Sequence, residues 1–228
     1  MRHILALALG GAGVLGFAMS AAAQAPVAVV EDVKGAVAGV EFMDYVTPGT
    51  RIELGSSGSI VLSYMKSCRR EAIRGGTITV GAEQSTVDGG KVARTTVACD
   101  ATHIELGGRE TSQSAATVFR NLAPATEPAS PPQITLHGRS PVVETNGPGT
   151  LLVERIDRRG ERYELMLDSK SLARGRFYDF AKFHRALTPG ATYSATLGES
   201  RIVFRIAPEA KPGSTPIIGR LLRLAQGR

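Results

Sequence analysis

Tryptophan is absent from this chain, and aromatic residues make up only 5% of it. An interior without many large rings must be filled by Val, Ile, Leu and Ala, which suits small β-modules with modest cores. Histidine is scarce: His3, His103, His137 and His184 are scattered, and no H-E-x-x-H or H-x-x-x-H spacing joins any of them. That excludes the common zinc arrangements. Cysteine occurs only at Cys68 and Cys99, too far apart for a C-x-x-C redox or metal motif. Gly55-Ser56-Ser57-Gly58-Ser59 lacks the closing glycine of a nucleophile elbow, and Gly89-Gly90-Lys91-Val92 lacks the Ser/Thr of a phosphate loop. Glu83, Asp88 and Asp100 carry no spacing that demands a shared site. The chain is therefore expected to have no catalytic residues, no metal and no cofactor, and to act by binding.

Met1-Arg2-His3 begins a positive stretch, Ile4 to Met19 an apolar run, and Ser20 to Ala25 a small-residue exit. This pattern reads as a secretory signal over 1–23, with cleavage after Ala23 favoured over Ala25 because Pro26 would follow the latter. The alternative is an uncleaved anchor, for which the run is short of the ~20 apolar residues a span needs. Export implies an oxidising compartment, so Cys68 and Cys99 are expected to form a structural disulfide in a periplasmic protein. The formal charge is +6. A basic exported protein tends to meet acidic polymers or anionic membrane surfaces; the alternative is that the charge serves solubility alone, since the arginines are dispersed among acidic residues, and export argues against nucleic acid.

From Val27 to Leu106, short β-branched runs alternate with glycine. Val27–Val33, Arg51–Leu54, Ser59–Met65, Thr77–Val80 and Val92–Val97 read as strands, with turns at Gly55–Gly58 and Asp88-Gly89-Gly90. The expectation is an all-β roll or sandwich over 24–120. Val33-x-Gly35-x-Val37, Thr47-Pro48-Gly49-Thr50-Arg51-Ile52-Glu53-Leu54-Gly55 and Ser59-Ile60-Val61-Leu62-Ser63-Tyr64 together resemble the FecR-type periplasmic domain. The resemblance spans about residues 27–100. It implies an extracytoplasmic module of sensing or regulatory systems that works through protein contacts.

Glu110–Arg120 is open between helix and strand. The proline-rich stretch 121–133 reads as an exposed linker. Beyond it, Leu151–Ile156, Tyr163–Leu167, Ser194–Leu197 and Arg201–Ile206 read as strands of a second module over 134–208. There Leu187-Thr188-Pro189-Gly190-Ala191-Thr192-Tyr193 resembles the L-x-P-G-x-x-Y corner of fibronectin type III and immunoglobulin-like sandwiches. That resemblance implies a structural role for Leu187, Pro189 and Tyr193, the tyrosine hydroxyl bonding back to the corner backbone.

Between those strands, Phe177, Phe180, Phe183 and Leu187 fall at helical spacing, so a short crossover helix is expected. Arg174, Arg176, Tyr178, Lys182 and Arg185 around it form a candidate binding patch, suited to sugars or a partner peptide. Residues 209–228 read as a short basic amphipathic helix, with Thr215 as cap and Ile217, Ile218, Leu221, Leu222 and Leu224 as its apolar side. It would dock on the protein or on a membrane surface. The functional expectation is an adaptor or sensor that contacts another envelope protein; the alternative is a binder of envelope glycan or cell wall.

Overall fold

The computed structural model describes residues 24–104, 131–214 and 216–224. The expected signal (1–23), the stretch 110–120, most of the proline-rich linker and residues 225–228 lie outside them. The regular structure of the described residues is β throughout, apart from a single helical turn, α1 (Ala101–Ile104).

The first module is one sheet of β1 (Ala28–Lys34), β2 (Tyr45–Val46), β3 (Arg51–Tyr64), β4 (Arg69–Val80), β5 (Ser85–Asp88) and β6 (Lys91–Thr96). Their order is β2-β1-β3-β4-β5, and β6 pairs with the same edge of β4 as β5 does. The glycine runs are not the turns that the sequence suggests. Strand β3 runs straight through Gly55–Gly58 with shifts in register, and Gly89-Gly90 is a kink between β5 and β6. Gly55, Gly75-Gly76 and Gly89-Gly90 lie side by side, and there the sheet bends on itself. A Cβ on Gly76 would stand 2.2 Å from the Asp88 carbonyl oxygen and 2.6 Å from the Gly90 nitrogen, so the bend exists because the crossing backbones carry no side chains.

The bent sheet encloses Ala28, Val30, Ile52, Leu54, Ile60, Leu62, Tyr64, Ile73, Ile78 and Val80. Period-two alternation in β3 and β4 places these residues on the inner face. At the open end, Tyr64 shares a 2.7 Å hydrogen bond with Ser85. Burial pushes the Tyr64 phenol up to about 12, so it remains protonated. Glu71, fully buried beside it, accepts hydrogen bonds from Arg94 Nε at 2.7 Å and from the Ser85 amide at 3.0 Å.

The expected disulfide is formed. It joins Cys68, in the turn between β3 and β4, to Cys99 just beyond β6, with the two Cα atoms 5.7 Å apart. The Val97 amide also bonds to the Cys68 carbonyl, so the end of β6 is fastened twice to that turn.

In the second module, β7 (Ile134–Gly138), β9 (Gly149–Arg155), β10 (Arg162–Leu167), β13 (Thr192–Leu197) and β14 (Ser200–Lys211) form a sheet ordered β10-β9-β13-β14-β7. A second sheet, β11-β12-β8-β15, contains β8 (Val142–Glu144), β11 (Leu172–Ala173), β12 (Phe177–Asp179) and β15 (Leu221–Arg223). The sandwich-like pair encloses Leu136, Val143, Leu151, Val153, Leu165, Phe180, Tyr193, Phe204 and Leu222. Val29, Met43 and Met65 of the first module join the same cluster, so the outer face of β1 packs against the second module.

Two expected helices are replaced by strands. Residues 217–220 form a turn, and Leu221–Arg223 become β15, parallel to β8. The reason is burial on every side: Arg220, Leu221, Leu222 and Leu224 are all buried, so no polar helix face could meet water. Gly219 also passes so close to the Ala98 carbonyl that a Cβ would lie 2.6 Å from it. Phe177, Phe180 and Phe183 belong to β12 and the turn after it, not to a crossover helix. Asp179 starts that turn by accepting from the Ala181 amide at 2.9 Å, and its carboxylate is held by the buried Arg220 at 2.6 and 3.1 Å.

Candidate functional site

The expected tyrosine corner has the hydrogen bond its motif implies. Tyr193 Oη accepts from the Thr188 amide at 2.9 Å and donates to Glu161 Oε2 at 2.6 Å. Leu187 is buried beneath the corner and Pro189 is exposed on it. Burial, with the Glu161 carboxylate beside it, holds the Tyr193 phenol well above its ordinary value. It therefore stays a donor, and the corner is structural.

The basic-aromatic stretch is divided among different tasks. Arg174 and Gly175 make the tight turn between β11 and β12, both with left-handed backbone. From there Arg174 reaches the first module, pairing with Glu41 and with Asp44 at 2.8 Å. Arg176 pairs with the buried Glu144. Tyr178 is only 4% exposed, stacked at 4.8 Å on Phe183 and edge-on to Phe180, which removes it as a platform for a ligand. Arg185 lies over the Tyr163 ring at 5.9 Å, and Lys182 is exposed.

The two arginines lead to a seam between the modules that the sequence reading missed. At its centre the Glu144 carboxylate accepts from Tyr45 Oη at 2.7 Å, from Arg223 Nε at 3.0 Å and from Arg176. Arg223 also covers the Tyr45 ring at 5.1 Å, and Tyr45 packs against Phe177. Burial first, and the Glu144 charge second, raise the Tyr45 phenol far above its ordinary value, so it serves as a permanent donor. Nearby, the buried Glu31 accepts from Arg70 Nε at 2.7 Å and from the Ile217 amide. Asp100 accepts from the Thr135 amide at 2.9 Å. A signal for these carboxylates was present: Glu31 and Glu144 each follow two valines, and a charge ending an apolar run marks a buried strand that needs a paired ion.

The seam is closed by its own partners and offers no access to a reactant. Its role is to hold the modules together. Replacing Glu144 with alanine should strand the Tyr45 hydroxyl and two guanidinium groups. Arg176 and Arg223 have side chains 50% and 29% exposed and can turn towards water. The loss should thus be about 2 kcal/mol, below the 3–5 of a wholly buried pair. Urea unfolding reads it, and an unchanged midpoint would remove the seam from the account of stability.

Two features among the described residues are accessible. One is a cleft of about 350 Å³ lined by Val97, Ala98, His137, Glu209, Lys211 and Pro216, in which His137 Nδ1 lies 3.5 Å from Glu209 Oε1. Among the described residues, no group of three or more His, Cys, Asp or Glu side chains is placed to hold a metal. The other is the outer edge of β6. Every residue of this six-residue strand is exposed or half-buried, and among the described residues it pairs on one side only, with β4. The Val97-to-Cys68 hydrogen bond sets the ladder's phase: Lys91, Ala93 and Thr95 direct their backbone groups to β4, while Val92, Arg94 and Thr96 turn theirs outward. Comparison of the chain with protein-family models, with curated proteins and with solved structures gives no match.

Proposed function

We propose that this protein is an exported, periplasmic binding module, an adaptor or sensor that contacts another envelope protein through strand addition at β6. The observation that carries the reading is the outward row of backbone donors and acceptors on Val92, Arg94 and Thr96, on a strand that among the described residues is paired on one side only. Such an edge is a template for an incoming extended chain, whose main-chain hydrogen bonds supply affinity while alternate side chains supply selectivity. The disulfide beside it supports an oxidising compartment. The glycine-and-aliphatic pattern of the first module supports a FecR-type assignment. The Tyr193 corner and paired sheets support an immunoglobulin-like assignment of the second.

A photo-crosslinking residue at Thr95, on the exposed outer face, should give one discrete adduct with an envelope protein in intact cells. Thr96→Pro removes an outward N–H without touching the β4 ladder, and it should abolish that adduct. Adducts spread over many proteins, or one that survives Thr96→Pro, would defeat the strand-addition reading.

A further inference from the structure

Register places Lys34 opposite Ser59, Ser59 opposite Arg74, and Arg74 opposite Lys91. Directly paired residues point to the same side of a sheet, so these four make one row across β1, β3, β4 and β6 on the outer face. Lys34, Arg74 and Lys91 are all exposed. Lys34 has Asp32 at 3.4 Å, but no ion pair among the described residues uses Arg74 or Lys91. Two cations directly opposite each other weaken a sheet unless an anion joins them. The next row runs Asp32, Val61, Ala72 and Ala93, so that beyond Asp32, which pairs with Lys34, it is small and apolar up to the β6 edge. Beyond the glycine bend the row nearest the edge carries acids, with Glu53 opposite Thr77 and Thr77 opposite Asp88; Glu53 is paired with Arg51 at 3.5 Å, while Asp88 stands next to the edge.

We propose that the β6 edge receives an extended acidic segment of the partner, with an Asp or Glu side chain beside Lys91 and continuing the Lys34–Ser59–Arg74–Lys91 row. This rests on the reading of β6 as a strand-addition edge and names what that edge selects. The charge pattern sets the register as well as the sign: a carboxylate fits beside Lys91 and is repelled by Asp88 across the bend. It also argues against a second copy of this chain as occupant. Lys91, an exposed lysine at the edge, is the kind of charge by which edges suppress such self-pairing.

The test is an amide NMR titration of the full mature chain with two capped heptapeptides of alternating threonine and valine, one with a central glutamate and one with a central lysine. The glutamate peptide should shift the amides of Val92, Arg94 and Thr96 and bind at least tenfold more tightly than the lysine peptide. Arg74→Glu combined with Lys91→Glu should invert that preference. If both peptides shift the edge equally, or the double substitution leaves the preference unchanged, the acidic-partner proposal falls while strand addition stands. If neither peptide moves those amides, the proposal falls; if the Thr95 adduct also survives Thr96→Pro, strand addition falls with it. Shifts at Lys34, Arg74 and Lys91 with anionic lipid vesicles but not with peptide would make the row a membrane contact and overturn the proposal.

Discussion

Substitution of Gly76 by alanine should cost more than about 4 kcal/mol and unfold the first module under conditions where the parent chain is folded. Two penalties combine. The backbone at Gly76 has φ +77°, where an L side chain costs roughly 1–2 kcal/mol. The new Cβ would also stand 2.2 Å from the Asp88 carbonyl oxygen, 2.6 Å from the Gly90 nitrogen and 2.8 Å from the Gly89 carbonyl carbon. All three are main-chain atoms, so relief requires the β4 and β5–β6 backbones to part at the bend on which the inner core depends. Gly89→Ala separates the two effects: its φ is +66°, yet nothing lies within 4 Å of the added Cβ, so only the conformational penalty applies. Urea midpoints of the two variants should differ widely. Equal midpoints would mean that the close crossing does not hold the bend.

Removal of the disulfide by Cys68→Ser with Cys99→Ser should lower stability by about 3–4 kcal/mol on the chain-entropy model. For a chain of this size, that corresponds to a melting temperature lower by about 10 °C. The loss should be felt first in β6. Few of its atoms are sheltered, so packing contributes little, and the strand is held by its ladder to β4, the Arg94–Glu71 pair and the fastening at its end. Hydrogen exchange at Ala93 and Thr95, whose amides bond to β4, should accelerate more than at Ile60 or Leu62. A melting point within 2–3 °C of the parent, or uniform exchange, would show that the ladder alone keeps β6 in place.

Much of the first module was legible because its signals are local. Alternation in β3 and β4 marks the inner face, and a chain with two cysteines has one possible internal pairing. The glycine pairs read as separate turns and not as one bend, since their alignment depends on register between strands. The C-terminal segment misled for a related reason. Ile217, Ile218, Leu221 and Leu222 satisfy helical spacing, but β8 offered an edge and the core of the sandwich surrounded them. Nor could the aromatic spacing of Phe177, Phe180 and Phe183 reveal that Asp179 turns the chain to meet Arg220. The arginines of the candidate patch read as a binding surface, whereas Arg174 and Arg176 pair with acids of the protein itself. Their partners, Glu41, Asp44 and Glu144, lie in segments that only the folded arrangement brings near.

The bond from the Ile217 amide to Glu31 spans 186 residues, and Tyr45 meets Glu144 across 99. Contacts of such long range repay their loop-closure entropy late, so they are poor nuclei for folding. The bent sheet and its disulfide can assemble from neighbouring segments, whereas the seam must wait for β15 to settle beside β8. Docking is thereby placed at the end of folding. Until it occurs, Val29 and Met65 remain exposed, and the folding chain passes through a stage in which its own two halves are each other's most available hydrophobic partners.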